Sequence, residues 1–359
     1  GVSSAILLLF ACSSCSAQTQ ATVQTTTTGT AEATTTTLLY GVNYGLRTGP
    51  DWAPWETRCK GYPQVLEELR QIQTAKITQN VRIYSLTDCN DGAIMLQATQ
   101  KLGMGLWLGL WVGPDSSVFD AERQKLLELM SQFDFFNVLG IHVGSEAIYR
   151  EDITSREAIR LRNIIKTDMQ NAQNAQNANN NGSANLGNIP VTITDIEESL
   201  SANTNLITVD DTTVTVNMFP FWERCCIDIN GDGSTATNFE SAAEYFASRM
   251  EYLESVAGSR QIIVTETGWA DAGVNEAANN ANPASVAKWM RDFVCLANRK
   301  QWKYFWFNAF DDSWRQIQED DQDSVEGHFG EYTVCSDVVI QCFSLHCLHS
   351  TVPDLCILF

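Results

Sequence analysis

Beyond its first dozen residues the sequence has no run of the 18 or so apolar positions that a membrane-spanning helix needs, so no membrane span is predicted. Positive charge is also scarce: 23 Lys and Arg stand against 43 Asp and Glu, giving a formal net charge of −20. A surface this acidic repels phosphate backbones, which argues against a nucleic-acid partner. No CxxC pair has a second half at zinc-site spacing, and no glycine-rich loop is built to cradle phosphate. No Ser/His/Asp order suggests a catalytic triad, and His142 reads as a core group in mid-strand. One stretch approaches a calcium loop. Asp228, Asn230, Asp232, Gly233 and Ser234 read D-x-N-x-D-G-S, but position 12 is Phe239, with Glu240 one later. A polar, glycine-bearing turn is therefore the preferred reading, and no metal or cofactor is expected.

The chain has 359 residues, enough for a large core. One α/β barrel of about 250 residues with tails would fit this length. Residues 5–12, AILLLFAC, followed by CSSCSAQ, have the pattern of a secretory apolar core and cleavage site, so 1–17 read as a signal peptide. A lipid anchor or a core strand are the alternatives. Residues 18–37 are threonine-rich and lack apolar periodicity, which suggests a disordered stalk. The folded domain is expected over 38–335, followed by a cysteine-rich apolar tail, 336–359, of unknown role. Eleven cysteines in an exported chain suggest disulfides. Loss of Cys12 and Cys15 with the signal would leave an odd number, hence at least one free or intermolecular thiol.

Between these ends, apolar runs that read as strands alternate with helical patterns. The strands are expected at 38–44, 81–84, 105–110, 138–143, 191–194, 214–218, 262–265 and 304–308. Helix punctuation lies between them. Pro63 opens one helix, Gly103 closes another, and Asn282-Pro283 starts a third. Thr154 with Glu157, and Thr237 with Glu240, fit capping boxes. The Asn-, Ala- and Gln-rich segment 170–188 would extend a helix and then loop out, carrying the glycosylation sequon Asn181-Gly182-Ser183. Eight such strands suggest a closed (β/α)₈ TIM barrel, with a doubly wound open sheet as the alternative.

Two runs carry the chemistry. VGSEAIYR (143–150) and VTETGW (264–269) each place a glutamate, Glu146 and Glu266, at the end of an apolar strand-like stretch. Strand ends on one barrel face can fix two carboxylates in space. Two carboxylates in different environments, one protonated as acid and one ionised as nucleophile, are what cleavage of a glycosidic bond needs. Aromatics recur beside them. Tyr44, Tyr84 and Trp269 each end a strand and are expected to face the cleft, where pyranose C–H faces could stack on them. Trp107 and Trp306, in mid-strand, are expected in the core. Asn43 could reach a sugar hydroxyl or serve as a barrel-interior polar group.

In order along the chain come GVNYG, VRIYSLTDCN, VGSEAIYR, VTETGW, FWFNAFDDSW and EGHFGEY. Together they resemble the family 17 glycoside hydrolases, the β-1,3-glucanases, and VGSE followed by an aromatic and Arg resembles the fungal-type cell-wall branch. The likeness covers roughly 38–333. It implies a (β/α)₈ barrel with Glu146 as general acid/base after the fourth strand and Glu266 as nucleophile at the seventh. It further implies a secreted, wall-associated enzyme that acts on β-1,3-glucan with retention, hydrolysing it or transferring it to another glucan. Retention goes with carboxyl groups roughly 5–5.5 Å apart. A neutral polysaccharide is also indifferent to the acidic surface. Asp312, Arg315 and Glu326 align with the family's supporting Glu, Lys and Glu, two of them changed in type. Ser145 stands where many related barrel glycosidases have an Asn that touches the sugar 2-hydroxyl. The resemblance also implies a Cys59–Cys89 disulfide, and Cys295 is expected to pair with Cys335 or Cys342. A non-catalytic β-glucan-binding wall protein is the rival reading. The oligomeric state is not legible.

Overall fold

The computed structural model describes residues 38–178, 186–223 and 241–330, together with the backbone of 332–335 and 338–341. The signal and stalk readings, the sequon, the calcium-like turn and the Thr237–Glu240 box all lie outside the described residues.

Eight parallel strands close into a barrel in sequence order. They are β1 (Gly41–Asn43), β2 (Asn80–Arg82), β3 (Gly105–Leu110), β4 (Val138–Ser145), β5 (Val191–Ile196), β6 (Thr213–Asn217), β7 (Gln261–Thr267) and β8 (Lys303–Trp306). β1 pairs with both β2 and β8, so the closed barrel holds and the open doubly wound sheet is excluded. Helices α1 (Trp55–Arg58), α2 (Tyr62–Thr74), α3 (Asp91–Leu102), α4 (Ser116–Gln132), α5 (Ser155–Ala178), α6 (Glu197–Ala202), α7 (Ala242–Ala257), α8 (Pro283–Lys300) and α9 (Trp314–Glu319) lie between and after the strands. A two-stranded antiparallel hairpin, β9 (Tyr332–Cys335) with β10 (Val338–Gln341), follows.

The helices form where local chemistry starts and stops them. Helix α2 has Pro63 in its first turn, where a missing N–H costs nothing. It buries Val65, Leu66, Leu69 and Ile72, an apolar stripe at helical spacing. Each such side chain contributes about 1.5–3 kcal/mol on burial. Helix α3 ends at Gly103, whose φ of 68° is the left-handed conformation that glycine adopts cheaply. Asn282 caps α8 by accepting from the Ser285 N–H. Only half of the expected Thr154 box forms. Thr154 Oγ1 accepts from Glu157 N at 3.2 Å, but the Glu157 carboxylate turns to Arg160. Helix α7 is capped by Ser241, which accepts from Glu244 N. The Asn-rich stretch extends α5 as far as Ala178.

The barrel interior is layered. Trp107, Ile263 and Phe305 fill the layer nearer the strand starts. Gly140 makes room for Trp107, since a Cβ there would sit 2.3 Å from the indole. Above them the fill turns polar, with Asn43, Arg82, His142, Thr215 and Thr265 all without exposed surface. This polar layer is the floor of the site.

Candidate active site

The site occupies the C-terminal ends of the strands, the end where barrel enzymes place their chemistry. Glu146 follows β4 and Glu266 is the penultimate residue of β7, so both stand at the same end of the barrel. They line one cavity of about 1420 Å³. Both strands are irregular just where the glutamates emerge. Pairing of β4 with β5 shifts between His142 and Ser145, and pairing of β7 with β8 shifts between Val264 and Thr267. Bulges next to active sites re-aim side chains in this way. Glu146 itself has φ of 59°, a left-handed conformation uncommon outside glycine and Asn or Asp. The backbone on either side fixes it: its N–H donates to Thr194 O at 3.0 Å, and its carbonyl accepts from Arg150 N at 2.9 Å.

The two carboxylates meet different surroundings. Arg82 has no exposed surface, and its guanidinium lies 2.9 Å from Glu266 Oε1. The same group donates to Asn43 Oδ1 at 2.7 Å and to Ser145 Oγ at 3.2 Å, so a rigid fork fixes three partners at once. Ser145 Oγ also donates to Glu266 Oε1 at 3.2 Å. Glu146 has no cation of this kind. Burial, and next the negative charge of Glu266, push its carboxyl up to about 7, against a partial counter-effect from the Asn217 amide. That amide donates to Glu146 Oε1 at 2.8 Å and to Ser145 Oγ at 3.2 Å, so a short polar chain links the glutamates. Arg150 does not bridge to Glu146. It pairs with Asp152 at 2.9 Å, donates to the Ser145 and Val112 carbonyls and stacks on Trp111 at 4.6 Å.

His142 extends this floor. Its Nε2 lies 3.2 Å from an Arg82 nitrogen, and arginine can only donate. Nε2 must therefore accept, which places the ring hydrogen on Nδ1. Burial, and then the Arg82 charge, push the imidazole well below its ordinary range, so it stays neutral. Gly109 leaves space for the ring, since a Cβ there would come within 2.5 Å of it.

The cavity also collects Tyr84, Ser145, Asp312, Arg315 and Glu326. Tyr84 lies under the Arg82 guanidinium, 4.5 Å from it, and its buried hydroxyl has no protein partner. Burial and the charge of Glu266 raise this phenol well above its ordinary range, so it keeps its proton. Arg315 reaches Glu326 at 3.1 Å and Asp312 at 3.9 Å. Asp312 in turn accepts from Asn308 and from the Trp314 indole. Burial raises both acids, with Arg315 opposing it.

Two expected cleft aromatics are elsewhere. Tyr44 has no exposed surface, its hydroxyl donates to Glu68 at 2.5 Å, and it does not line the cavity. Trp269 donates its indole N–H to Asn280 O and packs on Phe221 and Trp289. Both face the surrounding helices and loops rather than the cleft. Asn43 is a barrel-interior group, with its amide on the carbonyls of Thr265 and Trp306. Trp107 and Trp306 are core residues, as expected. Sequence reasoning missed Arg82 and Asn217. Each is the last residue of its strand, but β2 (NVR) and β6 (TVTVN) lack the apolar run that singled out the glutamates.

The described residues contain a separate trio, Asp271, Asp311 and His328, with potential ligand atoms within 4.8 Å of one another. Cys59 and Cys89 form a disulfide, with Cα atoms 5.3 Å apart. Cys295 is disulfide-bonded, and the side chains of its expected partners, Cys335 and Cys342, are outside those described.

A closed (β/α)₈ barrel with a linked pair of glutamates at its C-terminal end is the architecture of many glycoside hydrolases. The family model described as "BtgE/BtgC glycoside hydrolase domain" matches residues 41–330, and the chain belongs to that family. A "Probable glucan endo-1,3-beta-glucosidase btgC" of Aspergillus terreus is 26% identical over 302 residues, covering 79% of this chain and 43% of the relative. The protein of the same name from Aspergillus fumigatus is 28% identical over 313 residues, covering 79% and 41%. The chain thus spans less than half the length of these curated relatives. Among solved structures, an active-site mutant of a Rhizomucor miehei β-1,3-glucanosyltransferase in complex with laminaritriose superposes with a TM-score of 0.63 at 24% identity. That match covers 85% of this chain and 98% of the other, and it shows the same fold.

Proposed function

We propose that this protein is a retaining glycosidase acting on β-1,3-glucan, with Glu146 as acid/base and Glu266 as nucleophile. The observation that carries the reading is the contrast between the two carboxylates. Glu266 sits against a buried, permanently charged guanidinium, whereas Glu146 is held protonated up to about pH 7. In the first step Glu266 attacks the anomeric carbon while Glu146 hands its proton to the departing glycosidic oxygen. The carbon–oxygen bond breaks and a glycosyl ester forms on Glu266. Esterification removes the negative charge that helped raise Glu146, so its acidity increases just when it must act as a base. Glu146 then takes a proton from the incoming hydroxyl, which attacks the anomeric carbon and frees Glu266.

The acceptor decides the outcome. Water gives hydrolysis, and a hydroxyl of another glucan gives transfer. The relatives' names, the laminaritriose seen in the similar glucanosyltransferase, and a cavity larger than the roughly 300–1,000 Å³ of a small-molecule site support this choice of substrate. Tyr84, Ser145, Asp312, Arg315 and Glu326 are the proposed sugar contacts, since all five line the cavity. Export to the cell wall is part of the proposal. The Cys59–Cys89 disulfide supports it, because such bonds persist in oxidising compartments. The test is turnover of laminarin-type glucan with products resolved by length, using Glu266→Gln as control. Tight binding of glucan without any turnover by the wild-type protein would instead make it a wall-binding protein.

A further inference from the structure

The loop between β1 and α2 carries two tryptophans that the catalytic reading does not use. Trp52 is 67% exposed and Trp55 is 48% exposed. Helix α1, to which Trp55 belongs, buries none of its residues. Large apolar rings left in water cost free energy, and a loop need not present them unless something covers them. Trp55 lines the same cavity as the two glutamates, together with Arg47, Asp51 and Trp314. Trp55 therefore continues the cleft outward along the β8–β1 rim, away from the β4 side that carries Glu146, and Trp52 stands three residues before it in the same loop.

The loop is also rigid, which matters for binding. Arg47 and Cys59 form an antiparallel bridge, and Thr48 N and Lys60 N donate back across it to Arg58 O and Leu46 O. Gly49 lets the two arms close, since a Cβ there would stand 3.2 Å from Arg58 Cα. The disulfide ties Cys59 to Cys89 beyond β2, Arg47 grips Asp88 with two hydrogen bonds, and the Gln318 side chain accepts from Asp51 N. Arg58 lies over one face of Trp55 at 5.7 Å and holds the ring's orientation. A platform already ordered has little conformational entropy left to lose when a ligand stacks on it.

We infer that Trp52 and Trp55 form an outer stacking subsite for a β-linked glucan chain, one that holds sugar units distant from the bond being cleaved. The occupant follows from continuity with the catalytic cleft and from chemistry. The β-glucopyranose ring has apolar C–H faces that suit an indole, and a neutral chain is not repelled by an acidic surface. The inference rests on the glucan reading of the site.

Affinity and turnover test it separately. The catalytically silenced Glu266→Gln protein is titrated with β-1,3-linked tri- and hexasaccharides, with and without the Trp52→Ala/Trp55→Ala pair. The expected result is tighter binding of the hexasaccharide, with the alanine pair reducing its advantage about five- to tenfold and the Trp52→Phe/Trp55→Phe pair keeping most of it. An alanine pair that leaves the hexasaccharide advantage intact, or weakens both lengths equally, overturns the inference, as does self-association that the alanine pair abolishes. Turnover of the same oligosaccharides by proteins with Glu266 intact reads the enzyme hypothesis. Length-dependent binding without turnover would sink the catalytic reading and keep the subsite. Turnover whose length preference ignores the two tryptophans would sink the subsite and keep the enzyme.

Discussion

Arg82 and Glu266 meet at 2.9 Å, with the guanidinium entirely enclosed by the barrel. The pair cannot be understood as a surface ion pair, whose net worth is small. It is a charge placed under the proposed nucleophile, and removing either partner leaves the other stranded. Arg82→Ala is expected to destabilise the fold by about 3–5 kcal/mol. Arg82→Lys keeps a charge but loses the fork across Asn43, Glu266 and Ser145, and it should lower kcat on the order of a hundredfold with a much smaller loss of stability. Denaturant unfolding alongside kcat checks both. Equal kcat for Lys and Arg would mean that charge alone suffices there.

Glu146 makes stability and activity move together with pH. Its folded carboxyl titrates near 7, above the ordinary glutamate value, so the folded state binds a proton that the unfolded state has released. Stability is therefore fully present below the unfolded pKa and is lost as pH rises through about 7. Glu146→Gln, which removes the ionisation, should be more stable than wild type at pH 8 by up to ~3 kcal/mol, and the difference should vanish near pH 4. Thermal melts across that range check the sign. In activity, kcat/KM on glucan should fall above about pH 7 as the acid loses its proton.

The two roles can be separated chemically. Glu266→Ala leaves both steps without a nucleophile, and added azide should restore turnover with an inverted product. Glu146→Ala should spare activated aryl glycosides, whose leaving group needs no proton, and azide should then give a retained product. Anomeric configuration by NMR distinguishes the cases. The opposite pattern would exchange the assignments.

The Cys59–Cys89 bond closes a loop with a sequence separation of 30. Replacing both cysteines by serine should cost roughly 3–4 kcal/mol, mostly by freeing the unfolded chain. Chemical denaturation without reductant measures it, and no change would mean that the unfolded chain keeps this loop closed by residual structure.

Barrel and glutamate pair were legible for one reason: each feature is written in contiguous residues. β3 is an uninterrupted apolar run and its bounds were read to the residue. Glu146 and Glu266 each end such a run. What failed depends on the register between strands, which no single strand displays. Asn43 pairs with Arg82, so Tyr44, one residue past that level, turns out to Glu68, whereas Tyr84, two past it, turns into the cleft. Bulges at β4 and β7 change the side-chain phase again; Gly144, with φ of 77°, marks the first, and no glycine marks the second. Arg82 was passed over because an arginine in an apolar strand gains meaning only from its partners, Asn43, Ser145 and Glu266, which come from three other strands.

Asn217 offers the sharpest test of how the two glutamates are tuned. Its amide donates to Glu146 Oε1 at 2.8 Å, and that bond favours the ionised carboxylate. Its carbonyl oxygen is held by the Thr265 hydroxyl at 2.9 Å, so the amide cannot flip to present an acceptor instead. Removing the donor in Asn217→Ala should leave only the more distant Arg150 charge opposing burial and Glu266, and move the alkaline limb of kcat/KM upward. Asn217→Asp adds a negative charge beside Glu146 and should move it further in the same direction. Both variants lose a hydrogen-bonding group in the site, so both should have a lower kcat/KM at the optimum. The direction of the limb is what separates tuning from plain damage. A limb that stays in place in both variants, or moves down, would mean that Asn217 does not set the acidity of Glu146 and that its amide serves only the Ser145 side of the network.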